Sequence, residues 1–136
     1  MVVSGISQAS RVILRAPAVD DTMRRTHRNL KPAVEKGAES IVACLLHDLT
    51  DYVVLEQALD HTGFDYWLAD RNDEGPHFQK KVRLEISGIL RETSSNAVVH
   101  RVSERIERLH RYPDERPAKI AVVEFSAPHT VVQTYG

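Results

Sequence analysis

Two carboxylates, Asp65 in GFDYWL and Glu85 in VRLEISG, stand twenty residues apart, each on a short run that reads as β-strand. If those strands pair antiparallel through the 69–80 loop, the two side chains share a face and lie roughly 5 Å apart at Cβ. Like charges that close destabilise each other unless a cation neutralises them. A hard cation with carboxylate and water ligands, Mg²⁺ or Mn²⁺, is the natural partner. Held against a phosphodiester, such an ion makes hydrolysis the chemistry to look for. Two positions beyond Glu85 stands Ser87, where that chemistry favours a lysine. Lys81 is on the same strand face, but roughly 13 Å from Glu85 at ~3.3 Å rise per residue, so its side chain would have to fold back.

The elements that must position these groups follow from periodicity. Residues 30–49 carry Val34, Ala38, Ile41, Val42, Leu45 and Leu49 at helical spacing, with Pro32 suited to the first turn. Glu35 and Glu39 flank that stripe one turn apart, so either can look over the sheet edge toward Asp65 and Glu85 or remain an ordinary exposed glutamate. Strands are expected at Tyr52 to Gln57, over FDYWLA, and at Lys81 to Leu90, the last with Lys81, Arg83, Glu85 and Ser87 on one face and Val82, Leu84 and Ile86 on the other. SSNAVVHRVSERIERLHRY reads as a second helix with Val98, Val102, Ile106 and Leu109 as its stripe. Arg101, Arg105 and Arg108 border that stripe, placed either to meet phosphates or to form a solvated salt-bridged face with Glu104 and Glu107. KIAVVEF, Lys119 to Phe125, reads as a buried central strand, and TVVQTY as a further edge strand. The resulting fold class is α/β, a mixed sheet flanked by helices in the order α-β-β-β-α-β over residues 30–136. Residues 1–29 read as an N-terminal extension with a strand at 11–16.

Composition bounds the function. The 136 residues favour one domain with one core. With 18 Lys and Arg against 19 Asp and Glu, any surface that attracts nucleic acid must be local. No long apolar run spans a membrane and no leader pattern opens the chain, so a cytoplasmic setting is expected. Cys44, inside the apolar IVACLL, reads as a small buried hydrophobe. Trp67 alternates with Asp65 and reads as a core or interface residue, with the option of shielding a site. The seven histidines lack zinc-type spacing, and phosphate-binding glycine loops and nucleophile elbows are missing.

The stretch KGAESIVACLLHDLTDYVVLEQALDHTGFDYWL resembles the opening of the PD-(D/E)xK, or restriction-endonuclease-like, nucleases, particularly their small resolvase-like branch. Glu39 in the helix, YVVLE, then Gly63 and Asp65 follow that family's order, and LEIS supplies Glu85 with Ser87 at the motif lysine. The chain is similar, too, to a group of small bacterial proteins carrying GFDYWL and RLE-x-SG segments. The resemblance covers about residues 30–126 and implies a restriction-endonuclease-like core. It implies a Mg²⁺-dependent (or Mn²⁺-dependent) hydrolase of DNA phosphodiesters, in DNA repair or defence against foreign DNA. Asp65 and Glu85 are the implied metal ligands, with Glu39 or Glu35 assisting and Lys81 or Ser87 near the attacking water. Ser87 cannot supply a lysine's charge. The rival expectation is therefore a degenerate nuclease-fold module that binds nucleic acid or a protein partner, as a homodimer or as a subunit of a larger complex.

Overall fold

The computed structural model describes residues 1–6, 10–75, 81–112 and 114–136. Its elements are β1 (Val2–Ser4), β2 (Ser10–Arg11), α1 (Asp21–Thr26), α2 (Leu30–Leu49), β3 (Tyr52–Gln57), β4 (Tyr66–Asp70), β5 (Val82–Ile89), α3 (Val98–His110), β6 (Ala118–Glu124) and β7 (His129–Tyr135). The strands form one seven-stranded mixed sheet in the order β2-β1-β7-β6-β5-β4-β3. β3, β4 and β5 make an antiparallel meander, and α3 then carries the chain to β6, which runs parallel to β5. That is the meander and helical crossover expected from the sequence.

The alternation along β5 explains the layers. Val82, Leu84 and Ile86 point to the face covered by α2, where they meet Ala38, Val42, Leu45 and Leu46. Arg83, Glu85 and Ser87 point to the face covered by α3, whose Val98, Val102 and Leu109 pack on Ile120, Val122 and Ile89. At Gly88 the backbone of α2 lies close against the sheet. A Cβ there would stand 2.8 Å from Val34 Cγ1 and from the Val34 carbonyl oxygen. Thr50 ends α2 by donating to the Leu46 carbonyl and accepting from the Tyr52 amide, which launches β3 at once.

Four local expectations are corrected. The strand expected at 11–16 keeps only Arg11, because Ile13 to Ala16 have no neighbouring strand and lie exposed. Val2–Ser4, not expected as a strand, pairs parallel with β7, so β7 is interior to the sheet and not its edge. Cys44 is exposed, since it falls on the solvent side of α2 while Leu45 and Leu46 take the buried positions. Leu49, at the last turn of α2, is likewise exposed, and Leu46 serves in its place. Part of the loop expected before β5, residues 76–80, lies outside the described residues. Among the described residues no helix is long and apolar enough to cross a membrane.

Candidate functional site

Asp65 is held by backbone pairing on both sides before β4 begins. Its amide donates to the Leu84 carbonyl (2.9 Å) and its carbonyl accepts from the Ala58 amide (2.9 Å). The turn that delivers it needs Gly63, which sits at φ +83 with its Cα against the Tyr112 ring. The registered pairs of β4 and β5 end with Tyr66 opposite Leu84, and Asp65 precedes them. Asp65 thus engages the residues on either side of Glu85, and its charge acts on the Glu85 carboxyl. Asp65 Oδ2 accepts from the Ile86 amide at 2.7 Å. Burial pushes the Asp65 carboxyl above its ordinary range, against the pull of that amide and of Arg105 and Arg108.

Glu85 is more deeply placed, its side chain 0% exposed. Arg105 Nη1 lies 2.9 Å from Glu85 Oε1 and Arg108 Nη1 3.4 Å from the same oxygen. Glu85 Oε2 is buried and has no hydrogen-bond partner among the described residues. Burial first, and the Asp65 charge second, push the Glu85 carboxyl up from 4.5 to about 7, although both guanidinium groups oppose the rise.

The arginines are spaced i, i+4 and i+7 along α3, one face of the helix, and that face lies over β5. Arg101 Nη1 donates to Ser87 Oγ (2.7 Å) and its Nη2 to Asn96 Oδ1 (2.6 Å). Arg105 Nη2 reaches the same Ser87 oxygen at 3.4 Å. The Ser87 hydroxyl therefore lies under guanidinium groups contributed by another element. The sequence allowed these arginines a phosphate-facing role or a solvated one with Glu104 and Glu107. The structure turns Arg101 and Arg105 inward onto Ser87 and Glu85, while Arg101 Nε keeps a looser pair with Glu104 (3.5 Å). Their spacing was visible in the sequence; their partners were not, because α3 and β5 meet only in the folded packing.

These groups line one hollow of about 200 Å³: Glu35 and Glu39 from α2, Asp65, Ser87 from β5, and Arg101, Arg105 and Arg108 from α3. Glu39 is paired with Lys36 at 2.8 Å and hydrogen-bonded to Tyr66, whose phenol is raised by burial and then by Glu39. Lys81 is not brought here. It is buried at the start of β5, in an ion pair with Glu56, with its ammonium 5.2 Å from the Trp67 ring centroid. The expectation that Lys81 could stand near the water is corrected: the extended strand carries it away from Glu85 and Glu56 engages it. Trp67, covered also by Arg116 and set edge-on to Phe64, belongs to the core on the α3 side and shields nothing in the hollow.

A larger, more open hollow of about 550 Å³ at the other end of α3 is lined by Arg83, His110, Asp114 and Tyr135. There Arg83 donates to the Arg116 and Asp114 carbonyls, tying down the turn before β6. Its charge serves the fold. The smaller hollow is the one that sets Asp65 and the α2 glutamates against three arginines and the Ser87 hydroxyl.

In comparison with known proteins, no family model, no curated protein and no solved structure matches this chain.

Proposed function

We propose that this chain is a PD-(D/E)xK-like domain that hydrolyses DNA phosphodiesters with Mg²⁺ or Mn²⁺, in DNA repair or defence against foreign DNA. The observation that carries the reading is that Asp65 hydrogen-bonds to Leu84 and Ile86, the residues flanking Glu85, while Arg101 and Arg105 lie on Ser87. The α-β-β-β-α-β order from α2 to β6 supports it. So does the position of Glu39, which reaches the hollow from the first helix of that core.

The residues fit a hard divalent cation. Two carboxylates lie side by side, each raised toward its neutral form, and one Glu85 oxygen lacks any partner among the described residues. Asp65 and Glu85 would hold the ion. Among the described residues no three acidic, imidazole or thiol groups stand close enough to do so alone, so water would complete the shell. A bound ion supplies Lewis acidity and a water of lowered pKa. The chain supplies the rest. The Ile86 amide fixes the Asp65 carboxylate, and Arg101 and Arg105 bring to Ser87 the positive charge that the serine lacks, placed to stabilise charge developing on a phosphoryl oxygen. Arg108, half exposed at the lip of the hollow beside Glu85, would meet a neighbouring phosphate.

Cleavage of linear, nicked, branched and single-stranded DNA with Mn²⁺ or Mg²⁺ tests this. Wild type should cut, Asp65→Ala and Glu85→Ala should not, and Arg101→Ala should lose about 100-fold in rate. Cutting retained by a folded Asp65→Ala protein would overturn the assignment. One observation favours a second reading. The guanidinium groups on Glu85 Oε1 already neutralise the carboxylate a metal would need. On that reading the domain binds DNA phosphates through Arg101 and Arg108 without cutting. A folded wild type that binds DNA, cuts none of the substrates and shows no thermal stabilisation by Mn²⁺ would select it.

A further inference from the structure

Between Val12 and Pro32 the chain is almost wholly exposed. Within this arm Ile13 is 84% exposed, and Leu14, Val19 and Leu30 are exposed with it. α1 buries no residue and, among the described residues, packs against no other helix or strand. Large apolar side chains concentrated on one protruding segment mark a surface that meets something.

The arm is also charged unlike the rest of the chain. From Arg11 to Lys31 there are six basic residues, Arg11, Arg15, Arg24, Arg25, Arg28 and Lys31, against Asp20 and Asp21. All six are exposed, and the ion pair of Arg24 with Asp21 is the one formed by any of them among the described residues. Because the whole chain carries a net charge of -1, the remaining residues hold five more acids than bases.

A matching surface lies on the opposite side of the sheet. Among the described residues α3 is the one helix on its face of the sheet, and it packs mainly on β6. Toward β7 it leaves a groove of about 430 Å³ lined chiefly by Val98, Val99, Val102, Ile106 and Val131, with Glu92 at its rim. Val99 is 67% exposed, and Val2, next in the sheet beyond β7, is exposed too. None of the arm's residues lines this groove within one molecule. The arm leads from β2 at the sheet edge to α2, which covers the other face.

We infer that the arm of one copy docks in the α3–β7 groove of a second copy, so that two chains exchange basic, apolar arms across a two-fold axis. Ile13, Leu14 and Val19 fill the apolar floor, and the arginines of the arm meet the acidic body of the partner. The arrangement is isologous: each chain offers an arm and a groove, so the contact closes at two copies and does not propagate. It stands independently of the hydrolytic reading.

Light scattering and sedimentation of the full chain across concentration and salt test it. Wild type should be a dimer that loosens as salt rises. The exposed-site variants Ile13→Asp/Leu14→Asp and Val99→Glu should keep wild-type circular dichroism, and each should weaken self-association by about 10-fold or more. The decisive sample is their equimolar mixture. The arm variant keeps its groove and the groove variant keeps its arm, so the mixture should form a heterodimer that neither forms alone. A monomeric wild type would overturn the inference. So would an arm variant that dimerises normally while Val99→Glu does not, because the contact would then be groove to groove.

Discussion

Glu85→Gln is the perturbation that reads the electrostatics of the hollow most directly. In the folded chain the Glu85 carboxyl titrates at about 7 against 4.5 for an unperturbed glutamate. A group whose folded pKa is raised stabilises the fold at low pH and loses that contribution as pH rises through the folded value. Below pH 4.5 both states are protonated and Glu85 is neutral to the comparison. Above it the unfolded chain ionises while the folded chain does not, and stability falls until the folded group ionises as well. A tenfold difference in proton affinity between the two states corresponds to about 1.4 kcal/mol, so between pH 5 and 8 Glu85 should cost the fold roughly 2–3 kcal/mol. Asp65 is raised with the same sign.

The assay is urea unfolding of wild type and Glu85→Gln at half-unit steps from pH 5 to 8. The glutamine is nearly isosteric and cannot ionise, so subtracting its profile removes the histidines and leaves the Glu85 contribution. Wild type should lose roughly 2–3 kcal/mol more than the variant over that range. Parallel profiles would refute the argument: the guanidinium groups of Arg105 and Arg108 would then hold Glu85 ionised throughout, outweighing burial and Asp65. Adding Mn²⁺ gives an internal check, since an ion on Asp65 and Glu85 should lower both pKa values and flatten the wild-type slope.

Further outcomes follow from the same contacts. Arg105→Ala removes the nearer of the two cations on a fully buried carboxylate, and should destabilise the protein at pH 8 by about 3 kcal/mol but by much less at pH 5, where Glu85 is protonated; equal losses at both would show that the arginine acts through packing. Gly88→Ala forces a Cβ into the Val34 backbone and should lower stability by about 2 kcal/mol, read as a shifted urea midpoint with unchanged slope. Leu46→Ala, at a fully buried position left out of the expected helix stripe, should cost about 3 kcal/mol in the same assay, whereas Leu49→Ala should cost little.

Periodicity made most of the core legible. The helical spacing of Val34 to Leu45, the alternation along Val82 to Ile86 and the unbroken apolar run of β6 each identify an element and its buried side, because burial is settled by local geometry before any partner is known. The same reasoning marked Asp65 and Glu85 as neighbours once a hairpin was assumed. Short edge elements were not legible. Val2–Ser4 becomes a strand through pairing with β7, more than a hundred residues away, while RVILRA has strand-like residues and almost no strand beside it. Strand formation at three or four residues is decided by the neighbour and not by propensity.

The sequence by itself determined the residue types at the site, the two apolar faces of the sheet and the serine two residues after Glu85. Only the tertiary structure decided which charges meet Ser87 and Glu85. Arg101 and Arg105 come from α3, and their guanidinium groups reach Ser87 and Glu85 because the crossover lays the helix over the strand that carries them. It also decided that Lys81, on the same strand face, is out of reach and engaged by Glu56. Charge is a property of composition, but its position is a property of packing, and a long side chain reports its partner only when the element opposite is in place.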